Sequence, residues 1–455
     1  MARYSLPQWI RVGLLGVVTL IVLSGLLYRR HVTRSVMALH FPPLYETIHE
    51  QEQQLPHYKD YETSPIKYFW ASNHLSGLGW GNVMQDYVMM SLLARATNRS
   101  FVFNDYTWNA DGSWYSDYNG KLIPSRIPLS AIISGPVVGG ELPPEDNIPR
   151  AVSRDFFRTV CPNPTILQVS DVNDDHMRYD ESVPAAYILD KWIEKINSID
   201  DPCVQLGARD GQIFDYWMYG QKRLLSLWPS LSESPILKRW CWSPLIHNAY
   251  EINRNHFHAS PPLFSPEPLE PDVILDAIVK EDYSQPIPGL LAIHIRRGDF
   301  EPHCKKLSTV NADWNAFNSF PGFLDQFSAP QDNGDHVDLY MPHCYPSMEQ
   351  IVEKVKAVRE GAKETLTHLY IMTNGPAPWV EELKKSFALD SEWEQISSSR
   401  DLTLTWEQKF ISQGLDMFVA QRAQILIGNG WSSLTSNVVM LRMAHGMPSD
   451  SNRFW

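Results

Sequence analysis

The feature that most constrains the fold of this chain is a repeated order of short apolar strand, glycine-rich or polar turn, and amphipathic helix. In the N-terminal part we predict a strand at residues 67–70, a glycine turn at 76–81, a helix at 82–96 and a strand at 101–103. In the C-terminal part we predict strands at 290–295, 368–373 and 425–427 and helices at 348–364, 379–389, 415–424 and 432–445. Strands that alternate with helices are typical of parallel sheets. We therefore predict an α/β fold with two Rossmann-like domains that face each other across a cleft.

Between these two patterned parts the periodicity is poor, and prolines and tryptophans are frequent. We interpret residues 104–288 as the remainder of the first domain with long loops. The proline-dense stretch "PPLFSPEPLEPD", residues 261–272, is typical of a connection toward a second domain. The predicted boundaries are an N-terminal Rossmann-like domain at 63–285 and a C-terminal one at 286–455.

The N-terminus carries an uncharged run, "VGLLGVVTLIVLSGLLY", at residues 12–28. Its length is at the short end for a membrane span, and no small-residue cleavage site follows it. We predict a short tail at 1–11, a retained transmembrane anchor at 12–28 and a polar stem at 29–62. Basic residues flank the run on both sides, so the charge rule does not settle its orientation. The expected location is a single-pass protein of the endoplasmic reticulum or Golgi with a lumenal globular part.

Charge and cysteine content exclude some classes of function. The 455-residue chain has a formal net charge of -13, which disfavours nucleic-acid binding through its overall field. In a lumenal domain its five cysteines indicate up to two disulfides and one remaining thiol. The spacings typical of zinc sites are absent, so we expect no metal. A single glycosylation sequon begins at Asn98.

Polar or glycine-rich sequence follows three of the predicted strands, and ligands of open parallel sheets bind at the carboxyl ends of strands. The first such sequence is the glycine turn "GLGWGN", which includes Gly81 and Asn82. Glycines at a helix N-terminus allow the backbone to approach an anion, although such turns also serve plain topology.

The second sequence is "HIRRGDF", in which a buried strand runs directly into charge. Strand alternation places His294 and Arg296 on one face and Arg297 on the other. One interpretation is a structural ion pair between an arginine and Asp299. The other is that Arg296 faces the cleft and holds a phosphate, because the planar guanidinium binds phosphate oxygens in a bidentate manner.

The third sequence is "ILIGNGWSSLTSNVVMLR", residues 425–442, where Ser432 and Ser433 open a helix after a strand. Free backbone N–H groups and hydroxyls at this position indicate an anion site, and simple N-capping is the alternative. Two anion sites in the same half favour a diphosphate ligand.

These motifs resemble the GDP-fucose-dependent fucosyltransferases, most closely the protein O-fucosyltransferase-like group, over residues 77–105, 291–344 and 416–442. The resemblance implies two Rossmann-like domains in the GT-B arrangement, with an N-terminal acceptor-side domain and a C-terminal nucleotide-sugar-binding domain. It also implies inverting transfer of fucose from GDP-fucose to a protein or glycan hydroxyl without a metal or other cofactor.

The resemblance assigns roles to individual residues. Arg296 would hold the β-phosphate, and Asn82 would face the fucose and the acceptor. The residues implied in substrate binding are His294 and Asp416 near the nucleotide, Ser432 and Ser433 at the phosphates, Gly81 in the glycine turn, and Asp299. The family places a disulfide just after the arginine motif, which implies a Cys304–Cys344 bond.

The chain departs from the family at two points. Some relatives have an arginine or a glutamate in the glycine turn, where this chain has Gly79 and Trp80, so no general base is visible. Asp299 is one residue out of register with an aspartate of some relatives.

Other interpretations keep or change the class of protein. The same fold with another deoxysugar nucleotide as donor is a close alternative, and a non-catalytic sugar-binding or scaffold protein is a more distant one. A dehydrogenase is disfavoured because "GLGWGN" lacks the GxGxxG spacing. Residues 106–288 contain no motif that names the acceptor.

Overall fold

The computed structural model describes residues 41–61, 65–118, 120–209, 211–258, 284–332 and 334–455. The predicted tail, the predicted anchor, residues 29–40 of the predicted stem and the proline-dense stretch 261–272 lie outside the described residues. Within the described ranges, every helix is too short or too polar to cross a membrane.

The N-terminal half is built around a five-stranded sheet in which all neighbouring strands are parallel. The strands of this half are, in chain order, β1 (Tyr68–Trp70), β2 (Ser100–Phe103), β3 (Tyr106–Thr107), β4 (Tyr115–Tyr118), β5 (Lys121–Pro124), β6 (Arg126–Ile127), β7 (Ile133–Ser134), β8 (Val152–Ser153), β9 (Thr165–Leu167), β10 (Cys203–Leu206) and β11 (Cys241–Trp242). The order in the sheet is β8-β2-β1-β10-β9. The remaining strands form the antiparallel pairs β3–β6, β4–β5 and β7–β11.

Helices surround this sheet. They are α1 (Pro43–Glu52), α2 (Tyr58–Tyr61), α3 (Trp80–Ala96), α4 (Arg154–Val160), α5 (Asp175–Tyr179), α6 (Ala185–Asn197), α7 (Trp228–Ser232), α8 (Pro235–Lys238) and α9 (Pro244–Ile252). Helix α3 follows β1 through the predicted glycine turn and is almost entirely buried, because it lies between the sheet and the other half of the molecule.

The C-terminal half contains a second five-stranded sheet, which is also parallel throughout. Its strands are β12 (Ile287–Ile295), β13 (His368–Thr373), β14 (Gln395–Ser398), β15 (Ala423–Gly428) and β16 (Asn452–Phe454), in the order β14-β13-β12-β15-β16. Its helices are α10 (Phe300–Thr309), α11 (Val337–Cys344), α12 (Met348–Glu360), α13 (Ala377–Asp390), α14 (Trp406–Phe410), α15 (Ser412–Arg422) and α16 (Ser433–Ala444). The chain is thus α/β with two five-stranded parallel sheets, as the alternation predicts.

The central strand β12 shows why its sequence is a continuous apolar run. Leu291, Ile293 and Ile295 pack into a core on one face of the sheet, while Leu290 and Ala292 belong to the core on the other face. A parallel strand covered by helices on both faces is buried on both sides, so its sequence loses the alternation of a half-exposed strand.

The predicted stem was wrong for residues 43–61, which fold onto the N-terminal half. Tyr45 of α1 is fully buried and donates a hydrogen bond of 2.7 Å to the carbonyl oxygen of Glu407. Tyr58 of α2 donates one to the carbonyl oxygen of Glu52. The helices therefore form part of the core.

Smaller corrections concern element ends and the middle region. The helix predicted at 348–364 ends at Glu360, and the helix predicted at 415–424 is α15, Ser412–Arg422. Residues 423 and 424 open β15 instead. The region predicted as long loops contains β3 to β11, which are too short to give a visible period.

Two disulfides join elements of the described chain. Cys304–Cys344 links α10 to α11 and confirms the predicted bond, and Cys161–Cys203 links the end of α4 to the start of β10. Cys241 takes part in neither disulfide. Asn98 of the sequon is exposed in the turn between α3 and β2.

Candidate functional site

The strand order of the C-terminal sheet reverses at one point, where open parallel sheets have a crevice. The chain leaves the central strand β12 toward β13 on one side, and β15 lies on the other side. A ligand of an open α/β sheet binds where the strand order reverses, at the carboxyl ends of the two strands. Arg296 follows β12, and residues 429–432 follow β15, so both predicted anion motifs flank this switch point.

Arg296 projects from the end of β12 with its guanidinium largely unsatisfied. The side chain is 32% exposed, and its Nη2 lies 3.4 Å from the exposed carboxylate of Asp299. Its Cζ lies 4.8 Å from the centre of the Phe300 ring. The Nε is buried without a hydrogen-bond partner among the described residues. The ion pair with Asp299 is present but long and exposed, and such pairs contribute little. The guanidinium is therefore available to an anion.

Arg297 points to the opposite side of the strand, as alternation predicts. Its guanidinium lies between two aromatic rings, with Cζ 4.4 Å from the centres of both Tyr345 and Trp379. It donates hydrogen bonds to the carbonyl oxygens of Pro346 and Arg296. Burial lowers the pKa of Arg297 to about 10. This arginine is part of the packing that fixes the turn after β12.

The same turn is held from β13. The backbone N–H of Arg297 donates to Asn374 Oδ1 at 2.8 Å, and Asn374 Nδ2 donates to the carbonyl oxygen of Arg297 at 2.9 Å. Asn374 Nδ2 also lies 3.2 Å from Asp299 Oδ1. The backbone that carries Arg296 is thus fixed before any ligand binds, which is the condition for electrostatic preorganisation.

His294 lies under this turn as a neutral imidazole. It is buried, and its Nδ1 lies 2.8 Å from the hydroxyl of Thr435 on α16. Burial and, second, the charge of Arg296 lower the pKa of His294 to about 3. The ring therefore carries no charge at neutral pH and connects the end of β12 to the first turn of α16.

The N-terminus of α16 lies beside the end of β15. Ser432 is the N-cap residue, and its Oγ accepts from the backbone N–H of Thr435 at 3.5 Å. N-capping is therefore the observed role of Ser432, while the Ser433 side chain is partly exposed. The loop before the helix is rigid because Asn429 Nδ2 donates to the carbonyl oxygen of Cys344 and Asn318 Nδ2 donates to that of Gly430. A helix N-terminus held in this way favours negative charge.

Asp416, near the start of α15, lies in a polar pocket between β13 and β14. Its carboxylate accepts from the Tyr370 hydroxyl at 2.6 Å and from the Ser399 hydroxyl at 3.0 Å. Burial raises the pKa of Asp416 to about 6. The carboxylate has acceptor capacity beyond these two donors.

The glycine turn brings the N-terminus of α3 against the N-terminus of α16. A Cβ on Gly81 would lie 2.7 Å from Ser433 Oγ and 2.8 Å from the backbone nitrogen of Leu434. Asn437 Nδ2 donates to the carbonyl oxygen of Gly81, and Gln85 Nε2 donates to Ser436 Oγ at 3.2 Å. Residue 81 is therefore glycine because a side chain there would clash with α16, where the two halves meet.

Asn82 follows Gly81 on the first turn of α3 and is partly exposed. The structure thus brings Gly81 of the glycine turn and Ser433 of α16 together at one seam, while His294 reaches the same helix through Thr435.

A second polar cluster occupies the carboxyl edge of the N-terminal sheet. His49 and Glu52 of α1 and Asp105, just after β2, have donor atoms within 4.8 Å of one another. Asp105 also lies 3.5 Å from the guanidinium of Arg154, and His49 lies 3.5 Å from Asp155. Burial raises the pKa of Glu52 to about 7 and also raises that of Asp105. The group has the donor types of a cation site, but Arg154 and His49 already compensate its carboxylates.

Sequence reasoning missed several of these residues. Thr435, Tyr370, Ser399 and Asn374 act as partners of predicted residues, and each reaches its partner only through the tertiary fold. The polar cluster was missed because it joins a segment predicted as stem to a loop after β2. The available signal was the spacing of the apolar residues Leu44, Tyr45 and Ile48 along α1.

No protein-family model and no curated protein matches the chain. Among solved structures, POFUT1 in complex with GDP is 15% identical, covers 86% of this chain and 98% of its own, and has a TM-score of 0.47. POFUT1 in complex with GDP-fucose is 14% identical, with the same coverage and a TM-score of 0.46. NodZ alpha-1,6-fucosyltransferase soaked with GDP-fucose is 11% identical, covers 82% of this chain and 92% of its own, and has a TM-score of 0.41. Similarities of this size establish neither family nor function.

Proposed function

We propose that this protein is a glycosyltransferase that transfers fucose from GDP-fucose to a hydroxyl group of a protein or glycan, with inversion and without a metal. The observation that carries the proposal is the switch point of the C-terminal sheet. There an arginine with an unpartnered Nε and the N-terminus of α16 flank one crevice. Two anion-binding features side by side fit a nucleoside diphosphate.

The proposed mechanism uses Arg296 at the leaving group. The bond between the anomeric carbon of fucose and the β-phosphate oxygen breaks, and its electron pair goes to the diphosphate. The acceptor oxygen forms the new bond from the opposite face, and its proton passes to solvent water. Arg296 and the helix N-terminus stabilise the charge that grows on the diphosphate, and fixed cations of this kind act most strongly in the transition state.

The remaining residues position the two substrates in this proposal. His294 is uncharged and orients the nucleotide beside Arg296, while Asp416 accepts hydrogen bonds from the guanine. Ser432 caps the phosphate-binding helix, and Ser433 and Asn82 contact the ligand across the seam. Asp299, whose carboxylate lies 3.4 Å from Arg296 Nη2, is a further substrate-binding residue in this proposal.

The proposal includes a C-terminal domain at 286–455, an N-terminal domain that ends at 285 and takes in residues 43–61, the membrane anchor at residues 12–28 and a lumenal globular part. Two disulfides support an oxidising compartment. The exposed Asn98 is available as a glycosylation site.

The test is a donor screen on the full-length protein, extracted in detergent. GDP-fucose, GDP-mannose and a UDP-sugar are compared by thermal shift and by release of the free nucleotide, with and without EDTA. We expect GDP-fucose to stabilise the protein by ~2.7 kcal/mol at 100 times its Kd, and we expect EDTA to have no effect.

Three results would contradict parts of the proposal. If no GDP-sugar raises the melting temperature, the crevice does not bind the donor. A larger shift with GDP-mannose would keep the site and change the donor. Binding of GDP-fucose without GDP release, with any acceptor supplied, would indicate the non-catalytic binding protein.

A further inference from the structure

The N-terminal sheet has a switch point of its own, between β1 and β10. Two loops flank it: residues 71–79, which lead into the glycine turn, and the described residues 207–209 and 211–220, which follow β10. The loops are tied together, because Gln212 Nε2 donates to the carbonyl oxygen of Asn73 at 3.2 Å and Asn73 Nδ2 donates to that of Gly211. The loop after β10 is thus part of the same edge as the glycine turn.

This loop presents an aromatic pair to solvent. Trp217 is 62% exposed, and the ring of the partly exposed Tyr216 lies 5.5 Å from it at 71°. The neighbouring Met218 and Tyr219 are buried, and the Tyr219 hydroxyl donates to Asp86 of α3 at 3.1 Å. A firmly anchored loop therefore presents the apolar face of a large indole to solvent, where a partner can bury it.

The indole lies beside the helix that begins at the proposed donor site. Lys306 Nζ of α10 is 5.7 Å from the centre of the Trp217 ring. One face of α10 carries Phe300, His303 and Lys306 at intervals of three residues, and Phe300 underlies Arg296. The six helical steps from Phe300 to Lys306 correspond to ~9 Å of helix. The path from Trp217 to Arg296 therefore runs along one face of α10.

We propose that Trp217 and Tyr216 form an acceptor subsite that binds a sugar ring of an oligosaccharide, so that the acceptor of this protein is a glycan. A pyranose has an apolar C–H face and a hydroxyl rim. The indole covers the apolar face, while the Tyr216 hydroxyl and Lys306 Nζ supply polar partners at the rim. The distance along α10 fits a chain of sugars whose far unit lies on Trp217 and whose reacting hydroxyl lies at Arg296.

A glycan fits this surface better than a peptide. A protein that binds a peptide usually encloses the peptide's anchoring side chain in a pocket. The indole of Trp217 instead offers an open surface to solvent. His303, between the two ends of the path, is half-buried, and burial followed by the charges of Arg296 and Lys306 lowers its pKa. The path thus offers a neutral imidazole to uncharged hydroxyls.

This inference rests on the proposed function for the reaction, but its test is separate. Full-length wild-type protein is mixed with chitotetraose, cellotetraose, mannotetraose or a threonine-containing peptide in the presence of GDP. Binding is measured by saturation-transfer NMR and titration. The same measurements are made on Trp217→Ala, on Trp217→Phe and on Tyr179→Ala, a control in which a 74% exposed tyrosine is removed from α5.

We expect at least one tetrasaccharide to bind the wild type. Trp217→Ala should weaken that binding about tenfold, which corresponds to about 1.4 kcal/mol. Trp217→Phe should retain most of it, and Tyr179→Ala should match the wild type. The affinity for GDP-fucose should be equal in all four proteins.

The outcomes separate the two proposals. Equal saccharide binding by Trp217→Ala and wild type, or binding of the peptide alone, would overturn the glycan subsite even if GDP-fucose binds. Saccharide binding that depends on Trp217, in a protein that does not bind GDP-fucose, would support the subsite and contradict the proposed donor. If no tetrasaccharide binds the wild type, the subsite inference is wrong.

Discussion

The two parallel sheets have the same arrangement of a central strand and two strands on either side, yet their carboxyl edges carry opposite chemistry. At the C-terminal edge, Arg296 and the N-terminus of α16 face the crevice. At the N-terminal edge, Glu52 and Asp105 are buried beside cations, and Trp217 is exposed. The topology of a parallel sheet determines the edge at which a ligand binds, and the loops after each strand determine which ligand binds there.

The two edges also differ in how their charges are satisfied. The carboxylates of the N-terminal edge pair with His49 and Arg154, so that edge has little charge left for a ligand. At the C-terminal edge, the Nε of Arg296 lacks a partner among the described residues. A buried polar atom without a partner is costly unless a ligand supplies one. The comparison therefore supports our proposal that the anionic donor binds at the C-terminal edge and an uncharged acceptor at the N-terminal edge.

The largest expected effect tests the cation at the C-terminal edge. Arg296→Lys keeps the charge but loses the planar fork, so we expect it to lower kcat with GDP-fucose about 100-fold or more, ~3 kcal/mol of transition-state stabilisation. The melting temperature should change little because the side chain is partly exposed. Steady-state kinetics at matched folding measures the effect.

The matched control is Arg297→Lys on the other face of the same strand. It should lower the melting temperature, because lysine cannot fill the space between Tyr345 and Trp379 or donate to two carbonyl oxygens. Its effect on kcat should be much smaller. Equal losses of kcat in the two variants would mean that the assignment of faces is wrong.

The second prediction tests the carboxylates of the N-terminal edge. The pKa of Glu52 is raised from 4.5 to about 7, so the folded protein binds this proton more tightly than the unfolded chain does. Stability should therefore fall as the pH rises from 4.5 to 7, by up to ~3 kcal/mol for 2.5 pKa units. Glu52→Gln removes the charge, so it should stabilise the protein at pH 7.5 and be neutral at pH 4.5.

Chemical denaturation across this pH range measures the difference. Glu50→Gln, at an exposed position of the same helix, is the control and should leave the pH dependence unchanged. A Glu52→Gln variant less stable than the wild type at pH 7.5 would show that the carboxylate is held ionised by its neighbours.

The third prediction tests the seam between the edges. Gly81→Ala places a methyl group within 2.9 Å of the Ser433 backbone, so one helix must shift, at a cost of about 2 kcal/mol. Gly79→Ala is the control, because a Cβ there meets nothing within 4 Å and its φ is -62°. Thermal unfolding of both variants measures the cost. Similar melting temperatures would mean that the two helices are farther apart in solution.

The smallest expected effect concerns Asp416 at the C-terminal edge. Its pKa is about 6, so it becomes protonated as the pH falls below that value and loses acceptor capacity for the guanine that we propose it binds. The KM for GDP-fucose should rise about tenfold between pH 7 and pH 5, since one unit below the pKa leaves about a tenth of the carboxylate ionised. Asp416→Asn should have a raised KM that no longer varies in this range. If the wild-type KM stays constant between pH 7 and pH 5, Asp416 does not bind the donor.

The parts of this molecule that the sequence predicts are those whose signal is local. The apolar run before Arg296 and the serines at the start of α16 lie within a single strand or a single turn, and both were predicted at nearly their observed ends. Strand alternation also predicted that Arg296 and Arg297 point to opposite sides. Side chains along a strand alternate with a period of two residues, so their direction can be predicted from adjacent residues alone.

The parts that could not be predicted depend on contacts between distant segments. Asp416 meets Tyr370 and Ser399 from two other elements, and nothing in their spacing indicates that contact. Strands β3 to β9 have two to four residues each, which is too short for a periodic signal. The exposure of Trp217 and the tie between residues 73 and 211–212 are properties of the folded loop, which the sequence does not reveal.

The contact of Gly81 with Ser433 has a consequence for how such a molecule diverges. The backbones of α3 and α16 meet there without an intervening side chain, so the first turn of each helix is the template for the other. If recombination replaces one half with that of a distant homologue, the first turn of the new helix must fit the helix that remains. Otherwise the two backbones clash where the halves meet. Asn437 and Gln85 add side-chain hydrogen bonds across the same contact. The first turns of α3 and α16 therefore have to be inherited as a pair.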